Sequence, residues 1–547
     1  MIEKTFNLLE NPWIIVLTEK MKYEKVSLKD IFTNAHKYIR LAGDTPTQDA
    51  AILRLLLAIA GTVFYRYETD GTELLLNEEN NTEVSDVLER WEEYWNEKQF
   101  HEGLIPNYLE KYSERFWLFH PETPFYQIAD LQYGSDYRID CILGNIKESN
   151  NEKTKHHFSL ASGNNLKSIE LDEAARWLIH LMAYAVNVKK NKKAPGTENP
   201  VGTGRMGRLG FVMIDGNNLF ETIMLNLCPL IDGTDIWGIP KPEWEEPICA
   251  LQAREIPIPD NFPSAYTIQS RRCMLKRNDE GKVIGIKVLG GDYYTMENET
   301  SEQMTLWGCK IDEKTKKKTE YPKTHDPEIH LWREFNSLIV DNTDDYEKPR
   351  NPGVIKWLAR LIDEGIYNYS DNIAIHEIGI CYGDSKKYTW GDCVDDSLSL
   401  SAGLIHELGK TWQILIKDEI NKCSEVASLI NEFSDRICIL FFGDDNVKKS
   451  AYKNKLTREY YFKIDKDFKQ WLASIDPVSK AKEKKQYEWE LISYNNARTV
   501  AEEFVTSLGD NIYRISNGSQ LTSSIDEQSI PGILNNYMIK LSRIYSK

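Results

Sequence analysis

Up to about residue 398 the chain mixes short apolar runs at strand-like spacing with longer stretches at helical spacing. "NPWIIVLT" is an apolar run behind an Asn-Pro turn and predicts a strand. "KVSLKDIF" predicts a second strand running into a helix capped by Ser27. "TPTQDAAILRLLLAIAGTVFYR" is strongly apolar and predicts a long helix beginning near Pro46 and Thr47. "LDEAARWLIHLMAYAV" predicts another helix, opening at Asp172, with acids in its first turn where the helix dipole favours them. Then "GFVMIDG" reads as a strand and "NNLFETIMLNL" as a helix capped by Asn217 or Asn218. Residues 264–295 predict an antiparallel hairpin, with "SAYTIQSRRCMLKR" and "KVIGIKVLGG" on either side of the turn "NDEG". "IAIHEIGICYGDSKKYTW" predicts a second hairpin with its tip at Gly383-Asp384-Ser385. From about residue 399 four stretches carry helical apolar spacing, and a shorter helix, "GILNNYMIKLSRIY", closes the chain.

These textures define an α+β protein: a large mixed α/β domain over residues 1–398 and a helical bundle over 399–547. At 547 residues the chain is too long for one core, which agrees with that division. No uninterrupted apolar run approaches the roughly 18 residues that span a bilayer, and "MIEKTFNLLENPW" lacks the blocks of a signal peptide. Nine cysteines without a C-x-x-C pair suit reduced thiols in a cytoplasm, and neither a structural zinc nor another cofactor is expected.

The net charge of −17 argues against indiscriminate nucleic-acid binding by the whole surface. Two basic runs stand against that background. One holds Lys189, Lys190, Lys192, Lys193, Arg205 and Arg208; the other holds Lys310, Lys314, Lys316, Lys317, Lys318 and Lys323. Each alone is an ordinary solvated loop, but the pair suggests a shared polyanion face.

Gly202-Thr203-Gly204-Arg205-Met206-Gly207 is a literal G-x-G-x-x-G. A dinucleotide site needs a strand before it and a helix N-terminus after it, whereas a lysine-rich loop precedes and a strand follows. A Walker loop fails too, because Arg208 and Leu209 stand where Lys and Ser or Thr belong. "HDPEIHLW" offers His325, Asp326 and His330 to a metal-dependent nuclease or phosphohydrolase. The simpler reading makes Asp326 the cap of a helix starting at Pro327. No G-x-S-x-G is present. The aromatics Phe116, Trp117, Phe119, Phe125 and Tyr126 read as core.

Taken in order, "FNLLENPWIIV", "FHPETPFYQ", "LDEAARWLIHLMAYAVN", "VGTGRMGRLG", "GNNLFETIMLNL", "YTIQSRR", "MTLWGCK", "HDPEIHLWR" and "REYYFKIDKDFKQWL" resemble the large subunit of the type I-E CRISPR surveillance complex Cascade, the CasA family. The resemblance implies a mixed α/β domain with a C-terminal four-helix bundle. It also implies a non-catalytic protein that recognises a protospacer-adjacent motif (PAM) in double-stranded DNA. Such a protein starts duplex opening for R-loop formation, sits beside the guide RNA (crRNA) and other Cascade subunits, and recruits a helicase–nuclease.

Residue by residue, the PAM loop matches Lys193, Gly196 and Thr197, and the minor-groove lysine matches Lys310. The strand-separating hairpin tip matches Ser385, Lys386 and Lys387. The loop touching the guide RNA and neighbouring subunits falls on residues 158–167, with Ser159, Ser162, Gly163, Asn164, Asn165 and Lys167. Some members carry a cysteine-rich, zinc-like segment; here Cys273 and Cys309 stand alone, so no metal is carried over.

Overall fold

A computed structural model describes residues 3–77, 80–143, 167–185, 202–295, 298–339, 347–382, 390–442, 454–509 and 529–545. The chain divides into two compact units. The first comprises Met1–Pro327, Asp341–Tyr367 and Ile373–Ser397.

At its centre lies the helix Pro46–Arg66, started by the Thr45 side chain on the Gln48 N–H with Pro46 in the first turn. Almost every residue from Thr47 to Tyr65 is buried, as expected of a strongly apolar helix inside a core. By length and composition this helix could cross a membrane, but 94% of its most apolar window is buried within the protein. The helices Leu171–Tyr184 and Phe262–Tyr266 pack on it. Gly61 lets the Phe262 ring approach where a Cβ would collide with it.

The helix core also holds charge. Glu302, fully buried, takes two hydrogen bonds from Arg54 (2.6 and 2.9 Å) and one from Arg205 (2.8 Å). Burial opposes ionisation of Glu302, but the two guanidiniums outweigh it and hold the carboxyl down at about 2.

Around the core lie small sheets. Ile14–Thr18 pairs antiparallel with Tyr23–Val26 and with Tyr38–Leu41. Ser27 and Asp30 then form a reciprocal cap on the helix Leu28–Asn34. Arg271–Arg277 and Val283–Gly290 form the expected hairpin, with Ser135–Arg138 as a third strand. Residues 264–266, expected in that hairpin, instead belong to a short helix, Phe262–Tyr266. Asn261 caps it and Pro263 fits its first turn. Asn372–Tyr382 pairs with Phe211–Asp215 on one side and lies beside Trp390–Ser401 on the other.

The second unit comprises Glu328–Val340, Asn368–Asn372 and Leu398–Lys547; the first two segments are ones a linear boundary at 398/399 leaves out. Four long helices build it among the described residues: Lys410–Phe442, Lys455–Ala473, Lys482–Ser507 and Ile530–Tyr545. The first joins two stretches that the sequence pattern separates, because no glycine or proline interrupts its 33 residues. Trp489, fully buried, meets Phe468 edge-on at 4.8 Å, and Trp332 stacks on the same Phe468 at 4.2 Å. The helix expected at Pro327 is absent. Residues 327–328 form a turn, and helical backbone begins only at Leu331.

Eight cysteines among the described residues are free thiols, five of them buried.

Candidate nucleic-acid interface

The helix Leu171–Tyr184 has its acids, Asp172 and Glu173, at the N-terminus and ends without a glycine. A helix end leaves its last carbonyls without helical partners, and those groups carry the negative end of the macrodipole. Three separate parts of the chain supply the missing donors. The Ser270 hydroxyl donates to Met182 O (2.5 Å) and the Tyr382 hydroxyl to Tyr184 O (2.9 Å). The Gly204 N–H donates to Ala185 O (2.8 Å). The Arg271 guanidinium donates to the same Ala185 O (3.3 Å), to Ser270 O (2.7 Å) and to Gly202 O. Burial pushes the Arg271 guanidinium down to about 10, which still leaves it a cation at neutral pH, where the helix dipole favours one.

This junction explains the glycine motif. At Gly204 a Cβ would run into Ala183 O, and at Gly207 into the Tyr382 hydroxyl. The two glycines serve close packing against a helix C-terminus. A phosphate would need the opposite, N-terminal end, so the structure leaves no dinucleotide site here.

The junction also ties together the ends of two expected sites. Ala185 and Gly202 flank residues 186–201, which hold Lys189, Lys190, Lys192, Lys193, Gly196 and Thr197; all six lie outside the described residues. Tyr382 is the last described residue before 383–389, so Ser385, Lys386 and Lys387 also lie outside them. Ala185, Gly202 and Tyr382, described residues that border these segments, meet at the C-terminal end of the same helix.

Lys310 lies on the strand Trp307–Ile311, paired with Lys318–Pro322 in a two-stranded hairpin, and is exposed with its ammonium 5.1 Å from the Tyr321 ring. The hairpin base is held by the Leu306 N–H on Gly210 O (2.9 Å) and the Lys323 N–H on Leu306 O (2.9 Å). Its turn is organised by Asp312, which accepts from the N–H groups of Lys314 and Thr315, and presents Lys314, Lys316 and Lys317 to solvent. Lys318 is instead drawn in by Glu320 (2.9 Å) and Lys348 O (2.6 Å).

Two of the expected basic residues are not surface charges of that kind. Arg205 is buried on Glu302 and Ala265 O (2.5 Å), where the carboxylate compensates the cost of burying its guanidinium. Arg208 is half-buried and donates to Tyr294 O at 3.3 Å.

Lys167 is exposed and opens the stretch that returns through Ile169, hydrogen-bonded in both directions to Val283 at 2.9 Å. Ser159, Ser162, Gly163, Asn164 and Asn165 lie outside the described residues. Val283 and Arg271 are at opposite ends of the Arg271–Gly290 hairpin, about 20 Å apart for six residues of extended strand. Ile169 and Gly202, described residues near the borders of the expected guide-RNA and PAM loops, therefore sit toward opposite ends of one sheet.

The metal reading of "HDPEIH" loses its first ligand. Nε2 of His325 lies 2.9 Å from Phe211 O and Nδ1 lies 2.9 Å from Glu377, both inside the core. His330 lies 3.3 Å from Asp465 in the second unit.

The family model for CRISPR-associated protein Cse1 matches residues 7–499. The chain belongs to that family. The family's CasA/Cse1 protein from Thermus thermophilus is 30% identical over 237 residues, which is 43% of this chain and 42% of that protein's length. Cse1 from Thermobifida fusca superposes with a TM-score of 0.81 at 24% identity, covering 99% of this chain and 98% of its own. A chain of a CRISPR RNA-guided surveillance complex superposes with a TM-score of 0.65 at 14% identity, covering 99% of this chain and all of its own. At these identities the superpositions establish the fold, a mixed α/β body with a C-terminal helical region.

Arg271, Tyr382 and Glu302 are not among the residues the sequence reading selects. A signal existed for the first: Arg271-Arg272 is a charged pair directly before the apolar run Cys273-Met274-Leu275 of a strand, and buried charges demand partners.

Proposed function

We propose that this chain is the large subunit of a type I-E Cascade complex, acting in a cytoplasm. It recognises the PAM in double-stranded DNA, helps open the duplex for R-loop formation beside the guide RNA, and recruits a helicase–nuclease. Family membership and the likeness to a surveillance-complex chain support the assembly with other subunits and crRNA. The observation that carries the DNA-reading role is the common root of segments 186–201 and 383–389 at the end of one helix. A PAM reader that also parts the strands needs its reading loop and its wedge within a few base pairs of each other. Segments sharing a root meet that need.

Chemistry supports the same assignment. Gly196 offers backbone without bulk to a minor groove about 6 Å wide, and lysines beside it neutralise phosphates. Sequence reading is left to RNA pairing, so the protein needs only a short motif.

The test is reconstitution with the other subunits and guide RNA, followed by binding to a library of PAM sequences at several salt concentrations. Wild type should prefer a small PAM set. Lys310→Glu combined with Lys314→Glu and Lys317→Glu should weaken binding across sequences and reduce the steepness of its salt dependence, since fewer counterions are released. An unchanged affinity and salt slope would remove that hairpin from the interface. Cleavage of duplex DNA by the isolated chain with a divalent metal would favour the hydrolase reading instead.

A further inference from the structure

We propose that a cavity in the first unit binds a small organic monocation, an ammonium or guanidinium on a short apolar stem, with Asp49 as its counter-ion. The site is independent of the DNA-reading role proposed above.

The cavity measures about 90 Å³ and lies on one face of the sheet that holds Asn372–Tyr382. His376 stands opposite Met213 in the pairing with Phe211–Asp215, and strand alternation puts Ile378 and Asp215 on the same face. Asp395 reaches His376 from the strand Trp390–Ser401. Across from the sheet, Asp49 and Leu53 lie one turn apart near the start of the helix Pro46–Arg66. Leu219 opens the helix Leu219–Asn226, and the exposed Arg40 of the strand Tyr38–Leu41 completes the lining. Leu53, Met213, Leu219 and Ile378 are buried and form an apolar wall.

The polar groups are unevenly matched. His376 is already held between Asp395 (2.6 Å) and Asp215 (3.4 Å), which keep it charged at neutral pH. Asp49 accepts one hydrogen bond, from the Gly43 N–H (2.8 Å), and joins no ion pair among the described residues. The charges around it are Arg40, Asp44 and Arg176, and Arg176 is engaged with Asp44 (3.5 Å) and Asp172 (3.0 Å). Burial dominates at Asp49 and raises its carboxyl to about 7. In the cavity the three carboxyls of Asp49, Asp215 and Asp395 thus face two cationic groups, His376 and Arg40. One further positive charge balances them. Size sets the rest: at about 10–15 Å³ per water-sized group the cavity takes about six to nine such groups, which suits an ammonium or guanidinium on a stem of about four carbons. The stem would lie on the apolar wall.

The test uses the full-length chain with methyl-labelled methionine, because Met213 lines the cavity; Met213→Leu assigns its signal. At constant ionic strength n-butylammonium chloride should shift that signal with a Kd of about 1 mM, the order expected of so small a ligand. Sodium butyrate and 1-butanol should bind about fivefold or more weakly, because neither supplies the positive charge. Affinity for butylammonium should rise about tenfold from pH 6 to pH 8, since Asp49 ionises only through about 7 while His376 stays charged up to about 9. Asp49→Asn should abolish the shift. Arg40→Gln removes an exposed like charge without touching the core, and should tighten butylammonium about two- to fivefold. Nα-acetyl-lysine methylamide separates the two sources of such a cation. Binding as tight as butylammonium assigns a lysine side chain of another protein, and weaker binding assigns a free amine.

Butyrate or butanol binding as tightly as butylammonium, an affinity flat from pH 6 to pH 8, or a weaker affinity in Arg40→Gln would each overturn the proposal. So would a Met213 signal that stays in place at about tenfold above that Kd.

Discussion

Replacing Glu302 with Gln tests how far the core and the loop root depend on one buried carboxylate. The substitution keeps shape and volume but leaves Arg54 and Arg205 facing each other without the charge between them. The carboxyl is held at about 2 against an ordinary 4.5, and that difference corresponds to about 3 kcal/mol of stability. Breaking a buried ion pair from one side costs about 3–5 kcal/mol, the same range reached independently.

The sign follows from the depressed value. The contribution is complete above about pH 4.5 and disappears as the pH falls toward 2. Urea denaturation at pH 7, followed by circular dichroism, should show Glu302→Gln less stable by about 3–4 kcal/mol, within the range for breaking a buried pair. The affected transition can be assigned to the first unit by hydrogen exchange at the Met304 amide, which also bonds Glu302 (3.1 Å). Toward pH 3 the deficit should narrow, because Glu302 in the unfolded chain, at its ordinary 4.5, binds a proton there that the folded carboxylate still excludes. A deficit below about 1 kcal/mol at pH 7, or one that stays constant on acidification, would refute the reasoning.

Three further outcomes follow from the same structure. His376 sits between Asp395 (2.6 Å) and Asp215 (3.4 Å); burial lowers its basicity, but the two carboxylates outweigh that and raise it to about 9. His376→Gln should therefore cost about 1–2 kcal/mol at pH 6, discounted because both acids are part-exposed, and the cost should fade as the pH rises through 9; a constant difference would refute the assignment. Gly204→Val should destabilise by about 1–3 kcal/mol in denaturation, since its side chain would enter the space of Ala183 O; an unchanged midpoint would mean the loop root yields freely. Trp489→Ala should cost about 3–5 kcal/mol in the unfolding of the helical unit, and Trp489→Phe distinctly less; equal losses would deny the packing on Phe468 its role.

What this sequence determined by itself was local. The strongly apolar stretch 46–66 favoured a long helix, Ser27 favoured a helix start, and alternation around "NDEG" favoured a hairpin. The failure of G-x-G-x-x-G as a nucleotide site was legible from its neighbours as well, because a strand followed it. In the bundle, helical spacing was legible but the break between its first two stretches was not real, since polar residues on an exposed face resemble a connector. Family resemblance located the loops by number. Only the tertiary structure decided what those numbers share. Ser270, Arg271, Gly204 and Tyr382 lie far apart along the chain, yet they meet because one helix end leaves carbonyls that must be satisfied. Arg205 changed from an expected surface charge to a core residue for a related reason: its partner, Glu302, is 97 residues away, and no local pattern announces a pairing at that separation. Hydrogen bonds within a helix or hairpin are written in neighbouring residues. Those that close a helix end or neutralise a buried charge are settled by whatever the fold brings within 3 Å.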